Sequence, residues 1–385
     1  MPGTASRPRR DAAPPVPARL ARALGVTRVA RVTDLDRAGV EVACAVRPAG
    51  HVLQVTNGKG LRFEDAARGA LLEAAELACA EAVETSSLRW ASADELAARG
   101  EAHLAPADLG GAAAGGLRLA WRGGVDLLGS QSVLVPAAAV QAPPQGGPAL
   151  GLAGLRWTSN GMGAHPSREA ALAHALLEAA ERHALAQALP EGWDEEACAR
   201  FRLAAPARRA PRAAGLARQL AGRGLDAHLF QLPTELGLPL AAALLFDREE
   251  GPVPLTAGYA CRPDLAGAAL AALLEAAQSR LTDIHGARED VGPADRSGAE
   301  RLRRACGRGG READRDRGGD LDRDADRDRG GDRDTGQDRG SVRALLAHLR
   351  RAGFDRAVAV ELAPEALGVH VVKVLVPGFA CSELL

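Results

Sequence analysis

The side chains best suited to chemistry are glutamates set in three copies of one layout. Val55-Thr56-Asn57-Gly58-Lys59-Gly60 precedes a predicted helix bearing Glu73 and Glu76. Thr158-Ser159-Asn160-Gly161 precedes another bearing Glu178, Glu181 and Arg182, with His174 one turn before Glu178. Thr256-Ala257-Gly258-Tyr259 precedes a third bearing Glu275, Gln278 and Arg280. The glutamates recur about every hundred residues, each roughly four to five helical turns beyond its glycine.

A lone Glu-x-x-Glu on an alanine-rich helix is ordinarily a solvated pair, and a lone Gly-Lys-Gly is ordinarily a turn. Here the carrier helices lack a broad polar face. Between Ala66 and Ala80 the only charged residues are Arg68, Glu73 and Glu76, and from Ala266 to Leu281 only Glu275 and Arg280. Such helices are expected to be mostly buried, with a narrow acidic stripe at i, i+3. Two ionised carboxylates about 6 Å apart at an effective dielectric of ~20 repel by roughly 3 kcal/mol. Desolvation adds several kcal/mol per ion. Five glutamates brought together therefore need cations. An oxygen-only donor set points to Mg²⁺, which usually shares its shell with nucleotide phosphates. Gly58-Lys59-Gly60 offers flexible amides and a cation suited to phosphate, although the spacing of a Walker loop is absent.

These motifs resemble those of the YcaO family. Thr56 to Gly60 with Gly69 to Glu76 is similar to its first motif, and Ser159 to Ala164 with Leu177 to Arg182 to its second. Glu275 to Arg280 with Gly286 to Asp290 is similar to the third, and Val369 to Gly378 to its last core strand. The resemblance spans about Ala18 to Gly378. It implies a mixed α/β ATP-binding fold with three strand–glycine turn–acidic helix units, and often a homodimer. It also implies metal ligands at Glu73, Glu76, Glu178, Glu181 and Glu275. Lys59, Asn160, Arg182, Gln278 and Arg280 would contact ATP, with His174 also within reach. Gly69 falls at a nucleotide-facing position where the family commonly has Ser. Catalytic roles would fall to Glu178 and Arg182.

The implied activity is ATP- and Mg²⁺-dependent activation of a peptide backbone amide, leading to a thioamide or an azoline. Leu77 in place of a common Arg, and an ending at Ser382-Glu383-Leu384-Leu385 without a Pro-rich tail, favour the TfuA-associated, thioamide-type branch. A peptide or protein substrate and a separate TfuA-like or leader-peptide-binding partner follow from the same resemblance. A non-catalytic scaffold subunit and an accessory factor in ribosomal protein methylthiolation are the alternatives. Ser159 near His165 lacks the elbow and partnered acid of a serine hydrolase.

The elements that must position these residues can be read more coarsely. Arg28 to Val32 and Val40 to Val46 alternate like strands, and Gln141 to Gly151 reads as a loop. Val342 to Ala352 reads as a helix ended by Gly353, followed by strands at Ala357 to Leu362 and Val369 to Val376. Residues 1–17 are expected to form a disordered arm. Residues 18–290 and 341–385 read as one core, interrupted by an Asp/Arg/Gly-rich flexible insertion at 291–340. With 48 basic and 49 acidic side chains, nothing indicates DNA binding. Six dispersed cysteines without a C-x-x-C pair, and no apolar run long enough to span a membrane, fit a cytoplasmic protein.

Overall fold

In the computed structural model the described residues are 18–111, 115–151, 153–249, 251–286, 296–313 and 339–380. The predicted arm at 1–17 lies outside them. Among the described residues, twelve antiparallel strands form three sheets. The first joins β1 (Arg28–Arg31), β2 (Glu41–Val46) and β3 (Val55–Gly60) in that order. The second and largest contains β4 (Arg89–Ser92), β5 (Arg118–Asp126), β6 (Ser132–Pro136), β7 (Met162–His165), β11 (Val358–Glu361) and β12 (His370–Leu375). Its order is β4-β5-β11-β12-β7, with β6 also paired to β5. The third orders β10 (Leu255–Cys261), β9 (Leu240–Asp247) and β8 (Leu225–Leu232).

The acidic helices are α1 (Phe63–Glu81), α2 (Arg168–Ala188) and α4 (Leu265–His285). Each follows a strand at the edge of a different sheet: β3, β7 and β10 respectively. Each also packs on its own strand and on the edge strand of the next unit, α1 on β7, α2 on β10 and α4 on β3. The three units thus close into a ring, which directs the acidic stripes toward a common centre.

Small residues make that packing possible. A Cβ on Gly58 would lie 2.0 Å from the Ala66 carbonyl, and one on Gly258 would lie 2.2 Å from that of Ala272. Thr56 and Thr256 clamp the same interfaces, each hydroxyl donating to a helix carbonyl, Ala70 and Ala276, at 2.8 Å. In the middle unit the close approach belongs to Gly163, whose Cβ would sit 2.4 Å from the Ala171 carbonyl. The glycine turn expected at Asn160-Gly161 precedes the strand instead. Gly161 is needed there for its own backbone, with φ +77° and the Val374 carbonyl 2.4 Å from any added Cβ.

The insertion differs from expectation at its start. Arg296–Ala313 is a helix, α5, held by Ala299, Ala305 and Cys306. It packs on α3 (Glu195–Arg200), where Cys198 is also buried. Apolar residues at helical spacing before Arg308 outweigh the polar composition that follows. Residues 314–338 lie outside the described part. Order continues with α6 (Val342–Arg351), ended by Gly353 at φ +91°. Cys44, Cys79, Cys198, Cys261 and Cys306 are free and buried. Among the described residues, no helix is long and apolar enough to cross a membrane.

These contacts separate two kinds of glycine. Gly58→Ala is expected to cost about 1–3 kcal/mol in urea unfolding, because the helix must move to admit the methyl group. Gly69→Ala meets nothing nearer than the Gly58 Cα at 3.5 Å and should be neutral or stabilising by up to about 1 kcal/mol. Equal effects would contradict the packing described.

Candidate active site

Edge strands leave outward-facing backbone amides without ladder partners, and at the ring's centre the glutamates take them up. Glu73 accepts from the Asn57 amide of its own strand at 3.0 Å, and Glu275 from the Tyr259 amide at 3.4 Å. Glu76 and Glu181 reach across to the next unit. Glu76 accepts from the backbone of Ala164, and Glu181 from the Cys261 amide at 3.0 Å. Closure back to the first unit uses charge, with Lys59 on β3 donating to Glu275 at 2.8 Å. Gln278 holds the place on α4 that Glu76 and Glu181 hold on the other helices, three residues after the first glutamate.

Crowding leaves the carboxylates reluctant to ionise. Burial, then the charges of Glu178 and Glu73, hold Glu76 well above the usual carboxylate range. Burial pushes Glu178 up to about 8, with Glu181 and Glu73 adding to it and Arg182 and Lys373 opposing. Burial and Glu275 lift Glu181 to about 7. Glu275 is the exception: burial raises it, but Lys59, Arg182 and the Tyr259 amide together bring it below its ordinary value. The centre therefore carries carboxylates that an added cation would ionise.

The cations stand on two sides. Arg182 interacts with Glu181, Glu178 and Glu275. Lys373, buried at 2% exposure among the valines of strand β12, donates to the Thr158 carbonyl and stands 5.0 Å over the Trp157 ring. Both line an open cleft of about 1250 Å³, as do Asn160 and Trp157. Outside the cleft, His174 exposes part of its side chain to solvent while protein covers the rest. That partial burial, then Arg262, Lys59 and His165, bring it down to about 4, so it is neutral at pH 7.

One expected contact is placed elsewhere. Arg280 does not join the cluster. It is buried, with Nε on Asp36 and Nη2 on Asp247, each at 2.9 Å, and Nη1 on the Val253 carbonyl at 2.6 Å. Its position five residues after Glu275 turns it toward the far side of α4, where it ties that helix to β9 and to the β1–β2 connection. Gly69 faces β3, with the Gly58 Cα as nearest neighbour to any added Cβ. Lys373, Arg262 and Trp157 escaped sequence reasoning. Only Lys373 carried a signal, as a lone charge in Val371-Val372-Lys373-Val374.

An oxygen-only acidic centre ringed by cations, on a mixed α/β fold of antiparallel sheets, defines the class as a nucleotide- and metal-binding type. The profile of the YcaO cyclodehydratase family, ATP- and Mg²⁺-binding, matches residues 57–380, and the chain belongs to that family. It is 29% identical over 393 residues to an uncharacterised protein in the tfuA 3′ region of Rhizobium leguminosarum bv. trifolii, covering 93% of this chain and 84% of that one. The solved YcaO from Methanopyrus kandleri, bound with AMPPCP and Mg²⁺, superposes with a TM-score of 0.64 at 24% identity, over 94% of this chain and 88% of that one. A heterocyclase in complex with substrate and cofactor gives 0.67 at 18% identity over 92% of this chain, which spans half of that protein's length.

Among the described residues, no three acidic, His or Cys side chains already stand in metal-holding geometry. The raised carboxylates nonetheless fit the chemistry of a hard divalent cation. Mg²⁺ binding should then release protons, and its apparent affinity should climb as pH approaches about 8, where Glu178 ionises. Calorimetry in buffers of different ionisation enthalpy reads both effects. An affinity independent of pH from about 6 to 8 would contradict the crowding.

Proposed function

We propose that this chain uses ATP to activate a peptide backbone amide on the way to a thioamide or an azoline. The observation that carries this reading is the meeting of glutamates from three helices with Arg182 at one centre. Glu73, Glu76, Glu178, Glu181 and Glu275 would hold Mg²⁺, with Lys59, His174 and Gln278 toward the nucleotide. Bound there, Mg²⁺ would supply charge to the phosphates of ATP.

A nucleophile, either a Cys, Ser or Thr side chain or an external sulfur, adds to the amide carbon. The electron pair of the C=O bond moves to oxygen. That oxygen takes the terminal phosphoryl group of ATP, releasing ADP, and then leaves as phosphate with the C–O bonding pair; the carbon regains a double bond, to nitrogen with loss of the N–H proton in an azoline or to sulfur with loss of the S–H proton in a thioamide. A poor leaving group thereby becomes a good one. Arg182, attracted by Glu181 and Glu178, would set a positive charge beside the transferring group. Lys373 adds a second fixed charge from β12.

The relative encoded in a tfuA region supports the thioamide-type branch with a TfuA-like protein as partner; a second copy of this chain is a further partner implied by the family resemblance alone. The test is Mg-ATP binding. Glu178→Gln should lower the affinity about tenfold or more while leaving the circular dichroism spectrum unchanged. Unaltered affinity would contradict the assignment.

A further inference from the structure

We propose that the cleft beside Arg182 and Lys373 is the acceptor site, taking an extended peptide whose side chains are apolar or acidic rather than basic. The nucleotide would be held across the glutamates on the Lys59, His174 and Arg262 side. This inference rests on the function proposed above and adds where, and by what chemistry, the acceptor is recognised.

Sidedness is the first argument. Of the cations around the glutamates, Arg182 and Lys373 line the cleft, whereas Lys59 and Arg262, which neighbour the neutral His174, do not. Lys59 acts on Glu275, Arg262 on Glu181 and Lys373 on Glu178, with Arg182 reaching all three, so positive charge meets the carboxylates both inside the cleft and outside it.

Lining chemistry is the second. Val52, Leu155, Trp157 and Phe379 give the cleft apolar walls, while Arg156, Arg182 and Lys373 make it cationic. Asp108 is the one carboxylate among the described lining residues. Basic side chains would meet like charge there, and acidic ones would find partners. One buried donor of the lining, Trp157 Nε1, has no hydrogen-bond partner among the described residues, and a peptide carbonyl would supply an acceptor.

The third argument is a rigid wall. Residues 376–380 border the cleft and are pinned by His183, the neighbour of Arg182 on α2. The His183 ring stacks on Phe379 at 4.3 Å and 6°, and Nδ1 accepts from the Ala380 amide at 2.9 Å. Its Nε2 meets Glu235 at 2.9 Å, and Phe354 packs edge-on against Phe379. One helix therefore positions both Arg182 and the wall, so the cleft is formed before a ligand arrives.

Ser159 is exposed and lines the cleft, and the described native cysteines are buried, so a Ser159→Cys variant that also carries Cys381→Ser can be labelled there with a bulky maleimide. Two acetylated, amidated peptides serve as probes, one alternating Gly with Leu, Phe and Glu, the other carrying Lys in place of Glu. In the presence of a non-hydrolysable Mg-ATP analogue, the Glu peptide should bind the unlabelled variant about tenfold tighter than the Lys peptide. Labelling should abolish peptide binding and leave Mg-ATP affinity within about twofold. The proposal is overturned if labelling weakens Mg-ATP binding about tenfold, if the Lys peptide binds equally well, or if neither peptide binds at millimolar concentration. Failure of the unlabelled variant to bind Mg-ATP would instead strike the function proposed above, while the peptide measurements would still judge the cleft.

Discussion

Everything at the centre of this protein depends on how three sheet edges are satisfied. β3, β7 and β10 each end a sheet, and each turns its outer amides toward helices that carry carboxylates. An unpaired buried amide costs about 1–3 kcal/mol, so a carboxylate acceptor stabilises the edge. The same arrangement gathers more negative charge than burial tolerates, and Glu76, Glu178 and Glu181 hold protons more tightly as a result. The acidic centre is thus a consequence of ring closure, and a cation is the economical way to relieve it.

Closure also explains composition. Alanine dominates the inner faces of α1, α2 and α4, because β-strand glycines approach those helices closely enough to exclude larger side chains. The core is completed by leucine and valine from β9, β11 and β12. Far from the acidic centre, Arg280 joins Asp36 and Asp247, with Arg37 as a further partner, and locks α4 to the strands behind it. Ionic groups act oppositely in the two places: balanced pairs hold the frame, and unbalanced acids form the site.

Much of this was legible from periodicity. The acidic stripes stood out because their helices were otherwise apolar, and the strand–helix layout could be seen in Thr56-Asn57-Gly58 and Thr256-Ala257-Gly258. The middle unit was harder to align, because Gly161 and Gly163 are both glycines with different duties, one for a turn and one for a close approach. Arg280 shares a helix and a motif with Glu275, yet 3.6 residues per turn carries it to another face. Lys373 belongs to β12, remote in sequence, and Arg262 directly follows β10, and only the tertiary fold shows that they stand beside the carboxylates of α2. The helix at Arg296–Ala313 was hidden by the polar tract that follows it.

The central claim is that carboxylates from separate helices share one cation. Crystals grown with Mn²⁺ in place of Mg²⁺ and a non-hydrolysable ATP analogue would test it directly by anomalous scattering. The account predicts a peak about 2.1 Å from carboxylate oxygens of at least two of α1, α2 and α4, with the nucleotide phosphates completing the shell. Mn²⁺ found only on the surface, with those glutamates still bonded solely to strand amides, would contradict it.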